Sequence, residues 1–158
     1  MERVRKAEQD PVLQLVTFQL GEEYYGINVM QVQEVLRVAE IAPVPGTPPY
    51  ILGIINLRGN VVTVIDGRLR LAIAPKEVDD ASRIVIVEAN EQVVGMLVDS
   101  VHEVLELRQS EIEAAPNVGN EETSRYILGV SSRDDHLTIV MDIDKLISEA
   151  DAQVGLGF

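Results

Sequence analysis

YILGIINLRGNVVTVID, residues 50 to 66, is the stretch from which the fold can be read. It holds two apolar, β-branched runs, Ile51–Leu57 and residues 61–65, separated by Arg58, Gly59 and Asn60. Runs of this length around a glycine-containing break predict a tight β-hairpin, because extended β-branched segments pair once a short turn reverses the chain. Asn56 and Arg58 then stand at its tip, where a side chain can face a partner. Taken alone, Arg58 reads as a solvated turn residue.

Upstream of the hairpin, Ala42-Pro43-Val44-Pro45-Gly46-Thr47-Pro48-Pro49 cannot be a helix interior or a central strand, since proline lacks the amide hydrogen both require. It predicts an ordered connector. Earlier still, Leu13, Leu15, Phe18 and Leu20 roughly alternate with polar positions and predict a first strand. Gly21-Glu22-Glu23 turns it into a second at residues 24–27. Asn28, with Gln31 three residues on, resembles a short capped helical turn, followed by Val32, Val35 and Leu36. Downstream of the hairpin, Asp66 is placed to cap a short helix reaching Leu71.

Further strands are predicted at residues 83–88 and 92–98, joined by Ala89-Asn90-Glu91, and at residues 101–107. Residues 109–124 are polar, lack periodicity and read as a surface loop. Residues 126–130 and 137–141 predict a last hairpin across Arg133-Asp134-Asp135. Asp142 then caps a C-terminal helix with Ile143, Leu146 and Ile147 on one face. Residues 1–11 and 151–158 read as flexible tails.

With 158 residues, 46% of them hydrophobic, the chain can bury one good core or two small ones. Only 4% are aromatic and tryptophan is absent; richness in valine and isoleucine favours many short strands over a helical bundle. The net charge of -13 argues against nucleic acid and anionic membrane surfaces, which recruit cationic patches. Without cysteine there are no disulfides and no thiolate metal sites. The opening MERVRKAEQDP lacks the apolar segment of a secretion signal, and the apolar run at residues 93–98 is too short to span a bilayer. These features predict a cytoplasmic protein with no direct membrane insertion.

An internal repeat is the most informative feature beyond the hairpin. Residues 26–36, GINVMQVQEVL, align with residues 95–105, GMLVDSVHEVL, at an offset of 69 (26 to 95). Tyr50-Ile51-Leu52-Gly53 matches Tyr126-Ile127-Leu128-Gly129 at an offset of 76 (50 to 126), and Val64 and Asp66 match Val140 and Asp142. The loop at residues 109–124 accommodates the difference between the offsets. Two copies are too few for a solenoid and predict two similar β-subdomains about a pseudo-twofold axis. Their exposed strand edges and shallow grooves suit protein recognition.

Reactive chemistry is poorly supported. His102 lies near Asp99 and Glu103, and His136 follows Asp134 and Asp135, yet Asp-rich turns need no metal and the second copy's His102 aligns with Gln33. No nucleophile elbow, phosphate-binding glycine loop, zinc motif or dinucleotide fingerprint is present. The expectation is no catalytic residue, no metal and no cofactor.

The blocks LVTFQLGEEYYGINVMQVQEVL, PVPGTPPYILGIINLRGNVVTVID, RIVIVE, VVGMLVDSVHEVL and the C-terminal YILGV and TIVMDIDKLI resemble the CheW family, the coupling proteins of bacterial chemotaxis arrays. The resemblance runs from about Leu13 to Ile147, and GIINLRG, residues 53–59, is its most specific block. It implies a mainly β fold of two pseudo-symmetric, five-stranded SH3-like β-barrel subdomains with short helices, roughly residues 12–80 and 81–150. It also implies a non-enzymatic adaptor, linking the cytoplasmic helical tips of methyl-accepting chemoreceptors to the regulatory domain of a histidine autokinase. Carried over by position, the receptor-binding residues are Val32, Glu34, Arg58, Gly95, Val98 and Val104. The kinase-binding residues are Val44, Asn56, Gly59 and Val61. Arg58 is expected to pair with Glu34.

For each valine, core packing is an equally good reading of the residue itself. The recurrence of Glu34 as Glu103 fits structure as well as binding. One departure stands out: the family usually has a large aliphatic residue after Asp66, and this chain has Gly67. Glycine weakens a helix by roughly 1 kcal/mol relative to alanine, so Gly67→Leu is expected to stabilise the fold. Two alternatives are a module of the same fold working with a kinase outside flagellar chemotaxis, and a small β-barrel enzyme or ligand-binding protein.

Overall fold

Three tight turns set the strand pairing. Arg58 and Gly59 take φ of 50° and 88°, and Asn90 and Glu91 take 53° and 65°. Two successive residues with positive φ match the twist of a two-residue hairpin turn, so each pair reverses the chain without splaying its strands. Gly21, at φ 64°, serves the first hairpin. In the computed structural model, which describes residues 10–114, 125–133 and 136–147, the strands are β1 (Val12–Leu20), β2 (Glu23–Asn28), β3 (Val32–Arg37), β4 (Ile51–Leu57), β5 (Asn60–Asp66), β6 (Arg83–Ala89), β7 (Gln92–Val98), β8 (Ser100–Arg108), β9 (Ile127–Arg133) and β10 (His136–Met141). The helices are short: α1 (Gly67–Arg70), α2 at residues 143–147, and 3-10 turns at Val29–Gln31 and Gln109–Glu111. The tails at residues 1–9 and 151–158, and the turn residues Asp134 and Asp135, lie outside the described residues.

Local capping follows the predicted chemistry. Asn28 Oδ1 accepts from the Met30 amide at 2.9 Å, which starts the 3-10 turn, and the residues after it continue as strand β3. Asp66 accepts from the Arg68 and Leu69 amides and starts α1. Asp142 accepts from the Lys145 amide at 3.2 Å. Within residues 109–124, the part that is described is ordered: Gln109–Glu111 form a 3-10 turn and Glu113 bridges Val130.

The fold is mainly β, with one five-stranded sheet ordered β8-β1-β2-β10-β9 and another ordered β3-β6-β7-β5-β4. This corrects the division into contiguous halves at about residue 80. The chain begins in the first sheet, enters the second through the 3-10 turn after Asn28, and returns through Asp99 between β7 and β8. Each repeat therefore contributes strands to both sheets. A repeat in sequence records similar local structure and is silent on which copies pair.

The duplication holds at the level of register. Gly26 lies opposite Thr17 and Gly95 opposite Ile86, both shifted by 69; Val140 pairs with Gly26 as Val64 pairs with Gly95. The sheets are not closed into barrels by ladders. Instead each meets its own far end through one bridge, Ala42 to Ile54 in one and Glu113 to Val130 in the other. The largest apolar cluster combines Phe18, Leu20 and Ile27 from the first sheet with Val85, Met96 and Val98 from the second, so the sheets share a core. Ile143, Leu146 and Ile147 of α2 are buried in it.

Gly67 is packed tightly, contrary to the expectation for this position. A Cβ there would stand 2.7 Å from the Leu97 carbonyl oxygen and 3.2 Å from Leu20 Cδ2. Backbone cannot yield as a flexible side chain can, so glycine lets α1 sit directly on β7. Gly67→Leu is expected to destabilise the fold by about 2–3 kcal/mol through overpacking, read as a lower Tm. A raised Tm would overturn this.

The return crossing is clamped by charge. Arg68 donates to both Asp99 oxygens at 2.8 and 2.7 Å, and the Gly21 amide donates to Asp99 Oδ2 at 2.9 Å. Burial pushes the Asp99 carboxyl up, but these hydrogen bonds outweigh it and hold its pKa below the ordinary value. A carboxyl depressed on folding stabilises the protein above its unfolded pKa and loses that contribution as pH falls through the folded one. Asp99→Asn is expected to cost about 1.5–3 kcal/mol at neutral pH. The gap to the parent should close on acidification below about 3.9, measured by urea unfolding across pH. A gap that does not vary with pH would rule out the ionised clamp.

Candidate functional site

The β4–β5 turn positions Arg58, and a bulge in β3 positions its partner. Register shifts between Val32 and Glu34, leaving Gln33 as the extra residue, which re-aims the following side chain. Glu34 thereby faces the hairpin tip. Arg58 Nη1 donates to Glu34 Oε1 at 3.2 Å and Nη2 donates to Oε2, a two-pronged pair that matches a planar guanidinium to a carboxylate. The Arg58 hydrogen bond holds the Glu34 carboxyl below its ordinary pKa, and Glu34 raises that of Arg58. The Arg58 side chain is 68% exposed and that of Glu34 26%, so the pair orients a surface more than it stabilises the fold.

Around this pair the tip is preorganised. Asn56 Oδ1 accepts from the Gly59 amide at 2.8 Å, bracing the turn from within. Val61, opposite Asn56 in the ladder, is 70% exposed, a large apolar side chain held out to solvent. Val44 is half-buried in the preceding connector, where its carbonyl accepts from Thr47 Oγ1 at 2.9 Å. Val32 is half-buried and packs against the shared core. Glu34, Asn56, Arg58, Gly59 and Val61 thus form one patch. The expected receptor-facing and kinase-facing groups adjoin at a single hairpin.

Two expected contact residues lie inside the protein. Val98 is 1% exposed in the shared core, and Gly95 is buried where a Cβ would meet Ile84 Cγ2 at 2.9 Å. Their place in the motif reflects strand packing, and neither offers a side chain to a partner. Val104 is 54% exposed, on β8 of the other sheet. Its counterpart under the 69-residue offset is Val35, 40% exposed on β3, which motif matching passed over although the repeat pointed to it. Met30, at the crossing into the second sheet, is 86% exposed.

Among the described residues no group of three or more His, Cys, Asp or Glu side chains is arranged to hold a metal ion. No described helix is long and apolar enough to cross a membrane. The patch offers a fixed ion pair, a braced turn and exposed valine, which is the chemistry of macromolecular contact.

A family model described as CheW-like domain matches residues 14–151. A chemotaxis protein CheW from Treponema pallidum is 34% identical over 155 residues, covering 96% of this chain and 91% of that protein. The crystal structure of scaffolding protein TtCheW from Thermoanaerobacter tengcongensis superposes with a TM-score of 0.79 at 37% identity, covering 86% of this chain and 92% of that one. A more distant relative, protein FrzA of Myxococcus xanthus, is 25% identical and covers 94% of both chains.

Proposed function

The chain belongs to the CheW family, and from that membership we propose that it is a non-enzymatic adaptor coupling the cytoplasmic helical tips of chemoreceptors to a histidine autokinase. It works in the cytoplasm and is recruited to receptor arrays at the membrane. The observation that carries the reading is the hairpin tip, where the Arg58–Glu34 pair is held beside exposed Val61. A receptor tip is a helical hairpin whose apolar ridge is complemented by exposed valines, with the ion pair fixing orientation. Val32, Glu34, Arg58 and Val104 are assigned to the receptor; Val44, Asn56, Gly59 and Val61 to the kinase regulatory domain. Each sheet with its closing bridge is read as an SH3-like barrel, against whose end a regulatory domain of the same fold stacks. Modest individual contacts then gain strength from repetition in an array.

Co-sedimentation with a receptor cytoplasmic fragment and the kinase tests this. Arg58→Glu is expected to weaken receptor binding more than Arg58→Ala, because it sets like charges against each other. The double exchange Glu34→Arg with Arg58→Glu should recover much of the loss. Equal losses in Arg58→Glu and Arg58→Ala would remove the pair from the receptor contact, and a folded protein that binds neither partner would end the adaptor reading. A second reading, in which the module serves a kinase pathway outside flagellar chemotaxis, is favoured by the likeness to FrzA. The kinase and receptors recovered with the protein distinguish the two.

A further inference from the structure

The two sheets match in register but not in filling. In the second, Ile86 and Val62 are buried in an apolar cluster with Val93 against them. By the repeat offsets their counterparts in the first are Thr17, Thr138 and Tyr24. There a solvent-open pocket of about 350 Å³ is lined by these three with His102, Glu103 and His136, the last three exposed residues. The two histidines, 34 positions apart in sequence (102 to 136), are the only ones in the chain.

The lining is organised around the Tyr24 ring. His136 stacks on it at 4.3 Å between centroids, and His102 approaches at 5.5 Å. His102 Nε2 lies 3.0 Å from Ser100 Oγ and 3.2 Å from Gln19 Oε1. Between the Val16–Val104 and Phe18–Val101 pairs the register slips, so both His102 and Glu103 lie beside Thr17. Thr17 is satisfied, donating to the Glu103 carbonyl at 2.6 Å. Thr138, 1% exposed, has a buried hydroxyl with no hydrogen-bond partner among the described residues. An apolar residue of similar shape would avoid that cost, as Val62 does in the other sheet.

We propose that this pocket is a binding site for a guanidinium group. Glu103 is the duplicate of Glu34, and Glu34 already holds a guanidinium, that of Arg58. Under the 76-residue offset Arg58 corresponds in sequence to Asp134, so the repeat supplies no arginine matching Arg58. Among the described residues the Glu103 carboxylate has no ion pair. A guanidinium is flat and carries five N–H donors. It can lie against aromatic faces while donating to Glu103 and a ring nitrogen. A primary ammonium has neither the plane nor the forked donors. The group arrives either on a free small molecule or on an arginine side chain of another protein. The inference does not rest on the adaptor reading.

The histidine Cε1–H resonances of the full-length protein report the site, since both rings line it. Methylguanidine and, separately, a capped peptide with a single arginine are titrated at constant ionic strength, with methylammonium as the comparison. Both resonances are expected to move saturably with the guanidinium compounds, and methylammonium to bind at least tenfold more weakly. Glu103→Gln should weaken guanidinium binding at least tenfold. Thr138→Val should raise Tm, because it removes a buried hydroxyl that has no partner among the described residues, and leave guanidinium binding unchanged. Saturation by methylguanidine alone identifies a small-molecule site; binding by the peptide at least as tightly identifies a protein side chain. The proposal is overturned if neither compound saturates, if methylammonium binds equally well, or if folded Glu103→Gln binds like the parent.

Discussion

Gly53→Ala is expected to lower stability by about 4 kcal/mol or more, among the largest effects a single methyl group can have. Gly53 takes φ +150°, and a Cβ built on it would stand 2.1 Å from the Ala42 carbonyl oxygen and 2.7 Å from its carbon. Both are backbone atoms, fixed by the bridge in which Ala42 and Ile54 exchange hydrogen bonds at 2.9 Å each. The methyl group cannot be accommodated without opening the contact that joins β4 to the chain beyond β3. At roughly 2–4 °C per kcal/mol for a chain of this size, Tm should fall by about 8–16 °C. The duplicate position supplies an internal comparison: at Gly129 a Cβ would meet the Glu113 carbonyl oxygen at 2.5 Å, beside the matching bridge to Val130. Gly129→Ala should therefore also be severe. A loss below about 1 kcal/mol at both sites would mean that the bridges do not hold the sheet ends together.

Arg70→Ala is the second. Arg70 is 8% exposed, and its guanidinium carbon lies 4.7 Å from the centre of the Tyr50 ring and 4.7 Å from that of Tyr126. Those tyrosines correspond under the 76-residue offset, so one cation sits where the two copies converge. It also donates to the Tyr126 hydroxyl. Truncation removes two desolvated cation–π contacts and the hydrogen bond to the Tyr126 hydroxyl and opens a cavity, a combined cost of about 3–4 kcal/mol. Arg70→Leu should lose less, because it restores volume and copies Leu146, the 1%-exposed residue at the matching position of the second copy. Urea unfolding of the two variants decides it. If leucine is as damaging as alanine, the charge and not the filling is what the site requires.

These two positions show different degrees of legibility. The glycines were visible as parts of a repeated Tyr-Ile-Leu-Gly, but the carbonyl crowding each one belongs to a segment about ten or more residues away in the chain. Arg70 had no signal at all, since nothing local marks an arginine that will lie between two rings. The hairpin tip was the reverse case. Asn56, Arg58 and Gly59 are near neighbours in sequence and become neighbours in space through a turn whose backbone angles are local. Glu34 was reachable by resemblance, and the bulge that aims it became clear only with the ladder. His102 and His136 each lie among acidic neighbours in sequence, and their convergence on Tyr24 is hidden by distance along the chain.

What the sequence determined by itself was every strand but β3, most of the turns, their repetition and the family, because alternation, proline and glycine act through local sterics and are readable over a few residues. Which strands share a sheet was decided only by the tertiary structure, since two similar copies pair equally plausibly within or across themselves until the crossings at Asn28 and Asp99 are made. Burial followed from that choice: it turned Val98 inward and left Val104 in solvent, and it set Leu97 against Gly67. Such contacts are non-local sums over packed neighbours, and no single segment contains them.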